Sequence, residues 1–197
     1  MENLLLFLMA ALTALAVENV VFARALGIGK SALFLKSPRM GILYGVLLTW
    51  VATVSSVLTA GCNVLLTDTQ YIAFTRAPLF FLCVSLVYAL TYWGTKKWMP
   101  ALHRLIRPAL PISTFNSALF GALYTTANQG YSFFQGVGYA LGAGIGYTLA
   151  LLVIYYARKR LAISPVPRSF RGLPILLLYI GLLSLAIYGL IGHGLPS

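Results

Sequence analysis

Residues 16–31, AVENVVFARALGIGKS, decide how the chain is read. They continue an apolar run that begins at about Leu4, yet they place Glu18, Asn19 and Arg24 inside what otherwise reads as a membrane span. A charged side chain at the centre of an inserted helix costs roughly 2.5–3.5 kcal/mol, so such residues are rare and mark functional positions by default. The first span is read as Leu4 to Leu26, and apolar character resumes after Gly27-Ile28-Gly29 with Ala32 to Leu35. About thirty residues rising about 1.5 Å each exceed a hydrocarbon core of about 30 Å, so the segment is tilted or broken. A break at Gly27 and Gly29 is the expectation.

The rest of the composition agrees with a membrane setting. Of 197 residues, 60% are hydrophobic and 9% charged, with a mean hydropathy of +0.88, outside the range of soluble globular domains. Long apolar runs separated by short basic segments indicate a polytopic helical protein; barrel strands would alternate. The net charge of +11 sits in clusters beside apolar runs, which reads as orientation in the bilayer and not as nucleic-acid binding. Met1-Glu2-Asn3 lacks the basic start of a cleavable signal, so the first span is expected to be retained.

The remaining spans are read as Met40 to Ala60, Pro78 to Trp93, Ala109 to Thr126, Phe133 to Tyr156 and Leu173 to Leu190, with Gly61 to Thr75 as a loop holding Asp68. The fourth is short and polar: it opens with Pro108 and Pro111 and carries Ser113, Thr114, Asn116 and Ser117. Gly41 and Gly45, and Gly138, Gly142 and Gly146, recur every four residues, a rhythm that lets a neighbouring backbone approach closely. Tyr88, Tyr92, Trp93 and Trp98 read as an interfacial belt. Basic residues cluster after spans one, three and five, whereas the loops after two and four hold only Arg76. The expected topology therefore has basic loops in the cytoplasm and both termini outside.

The halves echo each other at an offset of about 90 to 95 residues, the weak symmetry of transporter folds. Arg76-Ala-Pro-Leu resembles Arg171-Gly-Leu-Pro, and the glycine-bearing second and fifth spans correspond. The fold expected is one all-α integral membrane domain over residues 1–197. It has six spans as two inverted three-helix repeats, about 1–95 and 108–197, with the first and fourth helices interrupted or short.

Candidate site residues follow from that symmetry. Glu18, Asn19, Asn116 and Ser117 are the midplane polar candidates for an ion path, and Gly27, Gly29 and Pro111 are the expected helix breakers. Glu18 is read either as a proton or Na⁺ site, or counter-ion to Arg24, or as a structural carboxylate. Arg24 lies six residues on, off the same-face spacing of an intact helix, and is expected to snorkel to the cytoplasmic face. Asn19 and Asn116 are read as interhelical hydrogen-bonding groups, and Ser113, Thr114 and Ser117 as partners of backbone groups freed by Pro111. With Cys62 and Cys83 the only cysteines and His103 and His193 the only histidines, a self-contained zinc or four-cysteine iron–sulfur site is excluded. The two cysteines are expected simply to pack, and His193 to be exposed. No nucleophile triad, P-loop or dinucleotide motif occurs, so the chain is at most a non-catalytic subunit.

Val17-Glu18-Asn19 with Leu26-Gly27, Tyr131-Ser132-Phe133, Gly142 with Gly146-Tyr147-Thr148-Leu149, and the string from Val166 to Ile175, VPRSFRGLPI, resemble the RnfA/NqrE membrane subunits of Rnf and Nqr ion-translocating oxidoreductases. The likeness covers nearly the whole chain. It implies six helices in inverted repeats, in a bacterial inner membrane. It also implies a [2Fe-2S] cluster shared with a homologous subunit of opposite topology, and further subunits carrying flavin and iron–sulfur groups. The family's cluster cysteines correspond to Gly29 and Ser117, so the resemblance implies the scaffold while this chain is expected to bind no cluster of its own. The alternatives carried from the sequence are a redox-independent small transporter and a structural assembly subunit on the same scaffold.

Overall fold

The structure is a computed structural model that describes residues 2–29, 35–66 and 72–191, the side chains of 63–66, 72–74 and 191 excepted. Lys30, Ala32, Asp68 and His193 lie outside the described residues. Within them the chain is helical, with no strand: α1 (Glu2–Leu12), α2 (Pro38–Leu66), α3 (Ile72–Trp98), α4 (Pro100–Ile106), α5 (Leu110–Thr114), α6 (Ser117–Asn128), α7 (Phe133–Ile163) and α8 (Leu173–Ile191). Four segments are long and apolar enough to cross a membrane: Pro38–Cys62, Thr75–Trp98, Phe133–Ile163 and Leu173–Leu190. They correspond to expected spans two, three, five and six. Helix α2 runs on to Leu66, so Gly61 to Leu66 is helix and not loop.

The first and fourth spans are the broken ones. Helix α1 passes directly into a π-helical turn, Thr13–Val17. Its 11 residues and the turn's 5 reach about 24 Å at about 1.5 Å per residue, short of a hydrocarbon core of about 30 Å. The fourth is split into α5 and α6.

Helix α7 is the centre of the bundle. Its glycine rhythm receives α1: a Cβ on Gly138 or Gly142 would collide with the backbone of Phe7 or Ala11, and one on Gly146 would lie 3.3 Å from Leu15 Cα. Four-residue steps on both helices thus bring two backbones into contact. The other face of α7 receives α2, where Gly144 lies under Thr49 and Gly45 under Thr148. The N-terminus of α7 is a capping box in which Ser132 Oγ accepts from Gln135 N and Gln135 Oε1 accepts from Ser132 N.

Helices α3 and α8 lie outermost, exposing Phe81, Leu82, Leu86 and Leu90 on one and Leu178, Leu182 and Leu185 on the other. Trp93 and Trp98 are exposed as a belt requires. Tyr88 and Tyr92 turn inward instead: Tyr88 packs on Phe115 at 5.5 Å between ring centroids and Tyr92 on His103 at 4.8 Å. His103 Nδ1 also meets Thr95 Oγ1 at 3.1 Å, which ties α4 to α3.

Candidate functional site

Neither break falls at its expected breaker. In the first span the regular helix ends at Leu12 and the π-turn closes with Glu18 N donating to Thr13 O at 2.8 Å. The break therefore starts well before Gly27. Asn19 makes it possible. Its Oδ1 accepts from Val21 N at 3.0 Å and Phe22 N at 3.3 Å, and its Nδ2 donates to Leu15 O at 3.2 Å. One further turn follows, with Ala23 N donating to Asn19 O at 2.8 Å. Gly27 is needed for its shape: φ is +79°, and a Cβ there would sit 2.6 Å from Tyr147 Cε2 and 2.9 Å from Ala118 Cβ. Gly29 has neither constraint, since its φ is ordinary and nothing lies within 4 Å of a Cβ there.

In the fourth span Pro111 does not break the helix. It occupies the first turn of α5, where its missing N–H is harmless. The break comes at Phe115 (φ −88°, ψ 62°) and Asn116 (φ −120°, ψ 135°). Asn116 Oδ1 accepts from Ala118 N at 3.1 Å, capping α6, and its Nδ2 donates to Tyr147 Oη at 2.7 Å. Asn19 and Asn116 thus do the same work, each turning an amide oxygen to backbone N–H groups that the break frees. They do not bond each other, and Asn19 makes no interhelical hydrogen bond among the described residues. Its bonds stay within its own segment because that segment has more freed N–H groups to satisfy.

The two breaks meet. Gly27 N donates to Ser117 Oγ at 2.9 Å, and Leu26 packs on Gly121. Ser117 therefore partners the opposite break and not groups freed by Pro111. Ser113 Oγ and Thr114 Oγ1, fully buried at the end of α5, have no hydrogen-bond partner among the described residues. They do not perform the backbone role expected of them either.

Above the meeting point lies a polar cluster. Glu18 Oε2 accepts from Arg24 Nη2 at 2.7 Å and from Tyr139 Oη at 2.9 Å, and Oε1 accepts from Gln129 Nε2 at 3.3 Å. Arg24 Nη1 donates to Thr125 Oγ1 at 2.5 Å. Glu18 and Arg24 pair across six residues because the broken backbone folds back on itself, which an intact helix forbids. Arg24 does not snorkel to the basic face: its partners lie at the α6–α7 loop, the opposite end of α7 from Arg158-Lys159-Arg160. Glu18 and Arg24 side chains stay 28% and 35% exposed, so water or a small ion reaches them.

A cavity of about 470 Å³ opens at the same end, lined by Ser56, Thr59, Arg76, Thr126, Tyr131 and Ser132 among others. In the loop, Tyr131 has its phenol pushed above the ordinary tyrosine range, by burial first and then by the negative charge of Glu18.

Thr125, Gln129, Tyr139 and Tyr147 are members of the site that sequence reasoning misses. Tyr139 and Tyr147 are completely buried beside Gly138 and Gly146. A phenol next to each end of a glycine stripe is the available signal, since a buried hydroxyl needs a partner.

The positions matching the family's cluster cysteines do not fit a thiolate-ligated cluster. Gly29 offers no side chain, and Ser117 offers a hydroxyl engaged by Gly27 N. Cys62 and Cys83 lie elsewhere, on α2 and α3. Among the described residues, no group of three or more histidine, cysteine or acidic side chains stands close enough to hold a metal.

Long apolar helices around two broken segments, with a polar cluster where the breaks meet, define a polytopic membrane protein with an interior polar site. A family model described as Rnf-Nqr subunit, membrane protein, matches residues 7–193, and the chain belongs to that family. It is 33% identical over 192 residues to the RnfA subunit of the ion-translocating oxidoreductase complex of Syntrophotalea carbinolica, covering 98% of each chain. It is 34% identical over 191 residues to the protein of the same name in Serratia proteamaculans, and equally to that in Aromatoleum aromaticum, covering 97% of each chain.

Proposed function

We propose that the chain is a membrane subunit of an Rnf/Nqr-like complex that couples electron transport to Na⁺ or H⁺ translocation, and that it carries no [2Fe-2S] cluster of its own. The observation that carries this reading is the meeting of the two breaks through Gly27 N and Ser117 Oγ, with a glycine and a serine where relatives are expected to have thiolates. Gly29, Phe115 and Ser117 are left uncovered by the rest of the chain. That favours a homologous subunit of opposite topology lying against the breaks. The same two breaks, each relieved by an asparagine, support six spans as two inverted repeats. The charge distribution supports an inner-membrane orientation with both termini outside.

In this reading Glu18 is the exchangeable group of the ion path. A cation or proton arriving from the cavity competes with Arg24 for the carboxylate, while Tyr139 and Gln129 hold it in place. Extraction in mild detergent followed by mass spectrometry tests the assembly, with flavin- or cluster-bearing subunits expected to co-purify. The chain purified by itself is expected to show no iron–sulfur absorption or EPR signal; such a signal would refute the loss of the cluster.

The Glu18–Arg24 cluster also favours a second reading, a transporter that works without redox partners. A homodimer that moves Na⁺ or H⁺ in liposomes would decide for it.

A further inference from the structure

Twenty residues separate Cys62 from Cys83 in the sequence, which carries no sign that they meet. The structure brings them together. Their sulfurs lie 3.9 Å apart across α2 and α3, both half-buried. Helices α2 and α3 run antiparallel here, and the pair faces across their contact as Trp50 Nε1 and Thr91 Oγ1 do at 3.4 Å further along. A disulfide needs the sulfurs at about 2.05 Å, so closing the gap takes rotation about the two Cα–Cβ bonds and a small helix shift.

We propose that Cys62 and Cys83 form a reversible dithiol–disulfide pair that ties the end of α2 to α3. The co-reactant is a protein or small-molecule disulfide. The Cys62 thiolate, about one turn from the end of α2 and the easier of the two to reach, attacks one sulfur of that disulfide. A mixed disulfide forms and one thiolate leaves. The Cys83 thiolate then attacks the Cys62 sulfur, the internal S–S bond forms, and the second thiolate leaves. The chain loses two electrons and two protons, and the oxidant becomes two thiols.

The bond acts on the cavity. Ala60 and Gly61 of α2 and Arg76 of α3 line its wall, so joining Cys62 to Cys83 fixes the spacing of two helices that frame the approach to Glu18. In the orientation proposed above this end faces outside the cell, where disulfides persist. The thiol chemistry itself does not depend on that orientation.

The test uses the full chain in detergent with oxidised glutathione as the probe, free thiols counted by a maleimide mass tag and the product weighed intact. Wild type is expected to lose both thiols and two hydrogen atoms in mass while remaining monomeric on a non-reducing gel. Cys83→Ser is expected to stop at one glutathione adduct on Cys62. Two thiols still free in wild type after a control dithiol is fully oxidised would overturn the proposal, as would bonds formed only between chains. The wild-type mass decides the matter even where a variant fails to fold. Thiols found free in cells, with the bond forming in vitro, would overturn the outward orientation and leave the pair intact.

Discussion

Gly142→Ala probes the contact on which the site rests. The added Cβ meets the Ala11 carbonyl, with Ala11 C at 2.7 Å and Cα at 2.8 Å. These are backbone atoms of α1 and have no rotamer to escape into, so α1 must move outward by several tenths of an ångström at least. Overpacking of this kind costs about 1–3 kcal/mol, and the gain in helix propensity from Gly to Ala returns about 0.5–1 kcal/mol. The net expectation is a loss of about 1–2 kcal/mol, measured as a lowered midpoint in thermal or SDS unfolding of the purified protein. Gly181→Ala on α8 is the control: nothing lies within 4 Å of its Cβ, so it should be neutral or mildly stabilising. Ala11→Gly should not rescue Gly142→Ala, because the collision is with backbone. A Gly142→Ala protein as stable as wild type would show that α1 does not dock on α7 as described.

Three further outcomes follow from the site. Glu18→Gln keeps Tyr139 and Gln129 as partners but loses the Arg24 pair, so stability should fall by about 1 kcal/mol or less for so exposed a pair. Ion uptake driven by electron transfer in the reconstituted complex should be lost, and unchanged uptake would favour a purely structural subunit. Tyr147→Phe removes the acceptor of a buried Asn116 amide and should cost about 1–3 kcal/mol, read by the same unfolding assay. Ser117→Ala leaves Gly27 N without its acceptor and should cost about 0.5–1.5 kcal/mol, with Ser117→Thr restoring stability.

The four long helices can be read from apolar length alone, because a bilayer demands it. That the first and fourth spans are irregular is also legible, from Glu18 and Asn19 in one and Pro111 through Ser117 in the other. Where they break is not. Glycine and proline draw attention, yet Pro111 is comfortable in a first turn and Gly29 is unconstrained, while the breaks sit at asparagines whose side chains replace lost backbone bonds. The glycine rhythm announces a close backbone neighbour but not that α1 is the neighbour. Helical spacing argues against a Glu18–Arg24 pair, a rule that lapses once the helix ends at Leu12. The proximity of Cys62 and Cys83 depends on how α2 and α3 pair, which no local pattern records.

The span of chain between Glu18 and its partners has a consequence for synthesis. Gln129 and Tyr139 follow Glu18 by 111 and 121 residues, a delay of roughly 5–25 s at translation rates of about 5–20 residues per second. Throughout it α1 has left the ribosome without the helix it docks on. Arg24 is available almost at once, so the pair can neutralise the embedded charge while the segment waits in the translocon or lipid. The ion pair would then act first as an insertion aid, holding a marginal first span in the membrane until the glycine face of α7 arrives to receive it.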